Sequence, residues 1–381
     1  MTRPPRISLE ELAVVDGHCH PLFADARALS RDAFLDLLSE GRPGAMTAHV
    51  PHTGYYRRAI HGLARHLQCA PTVETILKQR EALGPEAFAR LFSEQKVAAL
   101  LVDAGYPPGA MSLPEMRRLL SCRVYEVFRI ETCAQALLSE GLPHAEFEEH
   151  FLRELRSAAQ RCVALKTIIA YRSGLAIRSW VREDAARAYQ AALSRVRAGG
   201  SPRLTEKPLL DSLLLSALGI ARECAVPVQF HTGLGDPDID LLQANPLFLR
   251  PLLEDPAWAG VPFVLLHMAY PYTREAAFMT SVWPQVFLDL SLALPFLGPG
   301  AVLPLTEILS LAPSSKLLYG SDLGGLPELL ALSAGWGRAA LGEALGWLVE
   351  RESLTADEAR AVGDQILSKN AAALYHLPPL I

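Results

Sequence analysis

Residues 14–21 read VVDGHCHP, with two β-branched residues, an acid and a glycine followed by His18 and His20 on either side of Cys19. Side chains alternate across a strand, so the two imidazoles share one face and Cys19 takes the other. Seven more short runs rich in Val, Ile, Leu and Phe follow. They are VAALLVDAG from Val97, RVYEVFRIE from Arg123, CVALKTIIAY from Cys162, VPVQFHTG from Val226, VPFVLLHMAY from Val261, QVFLDLSL from Gln285 and KLLYGSD from Lys316. Longer Ala/Leu/Arg/Glu segments of helical period separate them. Continuous apolar runs alternating with helices indicate buried parallel strands, and eight such units in order predict an α/β fold closed as a (β/α)8 TIM barrel. Polar residues gather at the C-terminal ends of the runs, the end that carries chemistry in such barrels.

The spacing is irregular after the first run, where about 75 residues precede Val97. One helix needs far fewer, so residues 25–96 are expected to form a helical insertion that caps the barrel mouth. Its pieces SRDAFLDLLSEG, TGYYRRAIHGLARHL and PTVETILKQREALGPEAFARLFSEQ have helical period, with Pro71 and Thr72 as start signals and Gly41 as a stop. A second long segment, from Ser179 to Ala225, reads as two helices joined by the polar link AGGSPR. Residues 1–381 are taken as a single barrel, since such barrels routinely exceed the usual length of a domain.

With 36 Lys+Arg against 41 Asp+Glu, a net charge of −5 and 50% hydrophobic residues, the chain can bury a sizeable core. The basic residues are dispersed among acids, which argues against nucleic acid as a partner. Asp211, Asp289 and several Pro and Gly interrupt the longest apolar stretches, so no membrane span is expected. The N-terminus lacks the charged-then-apolar plan of a secretory signal. Six Cys, at positions 19, 69, 122, 133, 162 and 224, have no CxxC spacing and read as reduced core thiols. Together these features predict a cytoplasmic protein. The apolar C-terminal segment 329–350 suits packing either on the barrel or on a second subunit in a homo-oligomer.

The chemistry lies in a set of residues that end separate runs. His18 and His20 end the first, Lys166 the fourth, His231 the fifth, His267 the sixth and Asp322 the eighth. Imidazole and carboxylate suit zinc and similar cations, and a hydrolytic site keeps a position for water. As ordinary core residues, four His and an Asp beside a Lys would carry a large desolvation cost. Tyr171 and Arg172 fall just past the fourth run, where Arg172 can hold a substrate carboxylate by paired hydrogen bonds or serve a structural ion pair. Arg129 and Glu131 share a face at the end of the third run, and can hold each other or a zwitterionic substrate. Tyr270 and Tyr272 follow His267 and can line the mouth. The glycines of HTGLGD and GSDLGG lack phosphate-loop spacing.

The series HxH, Lys, His, His and Asp resembles the metal-dependent amidohydrolase superfamily. The phrases KTIIAYRSGL, VQFHTGLGD, LLHMAYPY, YGSD and TGYYRRAIHGLARHLQC resemble its amidohydrolase-2 branch, which includes domains fused elsewhere to glutamine-synthetase-like modules. The likeness runs from about Val14 to NAAALYHL, and this domain is expected to stand alone. It implies one or two divalent ions, zinc or else manganese, with His18, His20 and Asp322 on the more buried one. It also implies that Asp322 takes a proton from the attacking water, and that His231 and His267 hold a second ion or divide the roles of ligand and substrate polariser. Lys166 is either carboxylated, bridging two ions, or unmodified and in contact with an anionic substrate group. The function expected is hydrolysis of an amide or other C–N bond in a small, carboxylate-bearing substrate. A one-metal decarboxylase or isomerase and a non-catalytic binding barrel are the alternatives, because the fold supports several chemistries.

Overall fold

A computed structural model describes residues 6–24, 29–107 and 109–379. Eight strands form, each inside one of the runs above: β1 Val14–Cys19, β2 Val97–Asp103, β3 Arg123–Arg129, β4 Ala164–Thr167, β5 Val228–Phe230, β6 Phe263–Leu265, β7 Val286–Asp289 and β8 Leu317–Leu318. Each pairs in parallel with the next, in the order β1 to β8. Backbone hydrogen bonds from Gly17 N to Tyr319 O (2.9 Å) and from Ser321 N and Asp322 N to His18 O (3.2 and 2.8 Å) bring the last strand against the first. The sheet is therefore a nearly closed (β/α)8 barrel. Gly17 makes this approach feasible, since a Cβ there would lie 3.0 Å from Tyr319 O.

The runs are apolar throughout because each strand is covered on both sides. Val15, Leu101, Val127, Ala164, Val264 and Leu318 fill the barrel, with Tyr375 against them. A larger layer between sheet and helices takes the alternate residues, among them Cys19, Leu100 and Val102. All six cysteines are free. The two helices read between β4 and β5 are Arg182–Arg197 and Lys207–Cys224. The C-terminal segment forms the helix Pro327–Glu350, buried along most of its length against Val302–Leu311, Ala356–Asp364 and helices that precede β2. The segment thus packs within the chain, on the barrel's helical layer.

By length and composition the stretch Ala293–Leu311 could cross a membrane, which the sequence reading did not expect of any segment. Here it folds as three pieces, Ala293–Leu297, Gly298–Ala301 and Val302–Leu311, with Gly298 at φ 57° between the first two. Leu294, Leu305 and Ile308 are buried in the protein core.

Between β1 and β2 lie the helices Arg31–Asp36, Gly54–Leu67, Val73–Glu81 and Pro85–Glu94; residues 25–28 of the predicted insertion are outside the described residues. Thr72 caps Val73–Glu81 as expected, accepting a hydrogen bond from Thr75 N. Two details differ from the reading. The first helix stops at Asp36, before Gly41, and the third segment breaks at Gly84–Pro85 into two helices, because proline is accommodated at a helix start but not in its interior. Pro85–Glu94 packs on β2 and Pro327–Glu350 as a barrel helix would, so the additional structure is the part before it. Gly54–Leu67 meets Ala293–Leu297, the turn that follows β7, where Tyr55 stacks on Phe296 and Arg58 donates to Pro295 O at 3.0 Å.

One ion pair fastens the insertion. Arg80 reaches Glu328 through Nε to Oε1 at 2.6 Å and Nη2 to Oε2 at 3.3 Å, with the side chains 1% and 0% exposed. Glu328 also lies in the first turn of its helix, where the dipole favours a negative charge. Removing one member of such a pair strands a buried charge. Arg80→Ala is expected to lower stability by about 3–5 kcal/mol in urea denaturation, and Arg80→Met with Glu328→Leu to recover most of that loss.

Candidate metal centre

The C-terminal ends of the strands place the predicted residues in one buried cluster. His18 Nε2 lies 2.8 Å and His20 Nε2 3.2 Å from Asp322 Oδ1, while His267 Nδ1 is 3.8 Å from Asp322 Oδ2. Lys166 Nζ is 3.0 Å from His18 Nε2, and His267 Nε2 is 2.9 Å from His231 Nδ1. His18, Lys166, His231 and His267 are all 4% exposed or less. Ligand atoms of His18, His267 and Asp322 lie within 4.8 Å of one another, and so do those of His18, His20 and Asp103.

Burial dominates the electrostatics. It pushes His18 down to about 4, assisted by the Lys166 charge, and holds His231 and His267 well below the usual imidazole range, so all three are neutral near pH 7. Neutral imidazole is the form that binds metal. Burial alone would raise Asp322, yet His267, His18 and His20 outweigh it and keep the carboxylate ionised. Lys166 falls to about 8, again chiefly by burial.

The backbone is unusual at the two residues predicted to be catalytic. His267 has φ 68° and Asp322 φ 62°, in the left-handed region. Such conformations cost about 1–3 kcal/mol each and persist where their surroundings impose them. For His267 the support is Ser291, whose Oγ is 2.9 Å from Nδ1 and whose amide donates to Asp289 Oδ1 at 3.0 Å. For Asp322 it is the bond to His18 O, next to Ser321 N on Asp16 Oδ1 at 2.9 Å.

The cluster suits a cation. His18 Nδ1, His20 Nδ1, His231 Nε2 and Asp322 Oδ1 are buried without a well-formed hydrogen bond, a costly state. Imidazole nitrogens beside a carboxylate oxygen form a donor set for zinc or a similar ion.

The predicted substrate residues divide. Arg129 is already engaged by Asp103, with Nε at 3.1 and 3.0 Å and Nη2 at 2.5 Å, and lies 5.5 Å from the Tyr106 ring. It pairs with neither Glu131 nor open space, because Glu131 turns to Thr167 Oγ1, which donates to it at 2.5 Å. Tyr171 packs 4.3 Å from the His231 ring, and its hydroxyl accepts from Asp236 N at 3.0 Å. That contact needs Gly235, where a Cβ would overlap Tyr171 Oη and come within 2.8 Å of His231 Nε2. Arg172 keeps its Nε buried and unpartnered. Tyr272 bonds across the mouth to Leu241 O at 2.9 Å. His49 and His52 are exposed loop residues.

Several site residues escaped the sequence reading. Asp103 and Asp289 end the second and seventh runs, so the rule that selected Lys166 and Asp322 would also have selected them. Glu40 and Asp236 carried no such signal. Glu40, from the insertion, is raised to about 8 by burial and by the charges of Asp322 and Asp236, which places it near the mouth.

Comparisons with known proteins agree with this geometry. The family described as Amidohydrolase matches residues 134–377. Protein fluG of Emericella nidulans is 30% identical over 96% of this chain, which spans 46% of that protein's length. A solved structure from Lactobacillus casei, described as a metal-dependent hydrolase, is 30% identical, with a TM-score of 0.85 and 98% of both chains covered. The uronate isomerase of Bacillus halodurans shares the fold at 11% identity, with a TM-score of 0.68 and 97% and 94% of the two chains covered. Strand order, the ligand-type cluster and these likenesses agree, and the chain belongs to the amidohydrolase family.

Proposed function

We infer that the protein is a metal-dependent hydrolase that cleaves an amide or other C–N bond of a small, carboxylate-bearing substrate. The observation that carries this reading is the convergence of buried, neutral His18 and His267 on ionised Asp322 at the open end of the barrel. His18, His20, Lys166, His231, His267 and Asp322 would hold one or two divalent ions, zinc in the first instance. Bound there, the ion supplies Lewis acidity and makes water nucleophilic near neutral pH.

The chain's own groups do the rest. Asp322 turns Oδ1 to the β1 histidines, which leaves Oδ2 to take the proton of the attacking water. Ser291 on Nδ1 fixes the His267 ring so that Nε2 faces His231. The Arg129–Asp103 pair removes Arg129 as a free anchor, so the substrate carboxylate falls to Arg172, whose Nε lacks a partner. Tyr171 borders the same space beside His231. The insertion contributes Glu40, a buried carboxyl group that feels the charges of Asp322 and Asp236.

Elemental mass spectrometry on protein resupplied with zinc or manganese in bicarbonate tests the metal centre. About two ions per chain, falling on Lys166→Ala, are expected for a carboxylated Lys166 bridge. About one ion, unchanged by that substitution, would leave Lys166 as a substrate contact and favour one-metal decarboxylation or isomerisation. Against a panel of N-acyl and γ-glutamyl amino compounds, Asp322→Asn is expected to lower kcat by at least about 100-fold, the scale of a positioned general base. A variant as active as the wild type would remove Asp322 from the chemistry.

A further inference from the structure

Asp103 is a second carboxylate at the histidine pair, on the side away from Asp322. It ends β2, is 0% exposed, and has a ligand oxygen within 4.8 Å of ligand nitrogens on both His18 and His20. Among the described residues no hydrogen bond or ion pair joins Asp103 to either ring. Ligands around one zinc-like ion, at bond lengths of about 2.0–2.2 Å, stand about 3.3–3.6 Å apart when tetrahedral, so Asp103, beyond ion-pair distance of both rings but within 4.8 Å, would have to draw in toward them to share an ion. His18 Nδ1 and His20 Nδ1 are buried and unpartnered.

The setting of Asp103 supports the same role. Arg129, from β3, grips both carboxylate oxygens, and Gly105 N donates to Oδ1 at 3.2 Å. Three donors from the β2–β3 side fix the carboxylate plane. Burial opposes the charge, but Arg129, Lys166 and His20 together keep Asp103 ionised.

We propose that Asp103 is a metal ligand, completing with His18 and His20 a cation position between β1 and β2, and that Arg129 is the residue that positions it. The proposal rests on the metal-centre reading above. It is an alternative to the His18, His267 and Asp322 group, since the neutral His18 ring has one lone pair and serves one ion at a time. Arg129, read from sequence as a substrate contact, thereby acts on the metal instead.

Cobalt(II) replacing the native ion gives a readout independent of turnover. In Asp103→Cys, a thiolate touching the ion produces an intense sulfur-to-cobalt charge-transfer band that the wild type lacks. In Asp103→Asn, which keeps the shape and the Arg129 hydrogen bond, cobalt affinity is expected to fall at least about 10-fold with altered visible bands. Arg129→Gln is expected to weaken cobalt binding, with partial rescue in Arg129→Lys. Wild-type affinity and spectrum in Asp103→Asn, or no charge-transfer band in a folded Asp103→Cys that still binds cobalt, would overturn the proposal and leave the metal centre intact. A wild type that binds no cobalt, zinc or manganese would overturn the metal centre itself.

Discussion

The amides of Ser321 and Asp322 both donate to the carbonyl of His18, and that shared acceptor holds the end of β8 against β1. More than 300 residues of chain separate these partners. The bonds require Gly17, because any Cβ would crowd the Tyr319 carbonyl. They also require Asp322 to adopt a left-handed backbone, which directs its carboxylate across the barrel at His18 and His20. Closure of the sheet and assembly of the site are thus one event, since the contact that ends the barrel is the contact that brings base and ligands together.

A cluster of this kind is unfavourable unless its charges are arranged. Removing a Lys, three His and two carboxylates from water is costly, and the protein limits the cost by leaving the imidazoles neutral, setting Asp322 among them and pairing Asp103 with the Arg129 cation. Around them, Ser291, Asp289, Asp16 and Ser321 form an outer layer of hydrogen bonds that fixes ring and backbone orientation. Asp289 and Asp16 are pushed up to about 7 by burial, so this layer is only partly ionised near neutral pH. Rigidity of this outer layer allows the strained turns at His267 and Asp322 to persist.

The insertion ahead of β2 is accommodated without disturbing the barrel. Pro85–Glu94 occupies the regular helix position, and the preceding helices are fastened at Arg80–Glu328 and at the turn after β7. Both anchors lie on segments that follow the last two strands. The insertion is thereby held to the segments that follow β7 and β8, the latter after Asp322, and Glu40 adds a carboxyl group from outside the barrel strands.

The periodicity of the chain was sufficient for the barrel, because eight apolar runs with helices between them have few other ways to bury both faces of every strand. Residue type and place then named His18, His20, Lys166, His231, His267 and Asp322, each at a strand end where a barrel exposes side chains to its mouth. Asp103 and Asp289 meet the same rule at the ends of β2 and β7. Pairing was not legible. Arg129 is a free cation in the sequence, and only the β2–β3 register, which sets it beside Asp103, commits it to a carboxylate of the protein. Nor could the chain announce that Glu40 would stand near Asp322, or that His267 and Asp322 would turn left-handed. Sequence determined which elements form and which groups they carry, since both follow from local hydrophobicity and residue chemistry. Tertiary structure alone decided which groups face one another, because closing the barrel joins residues hundreds of positions apart and local pattern carries no record of that distance.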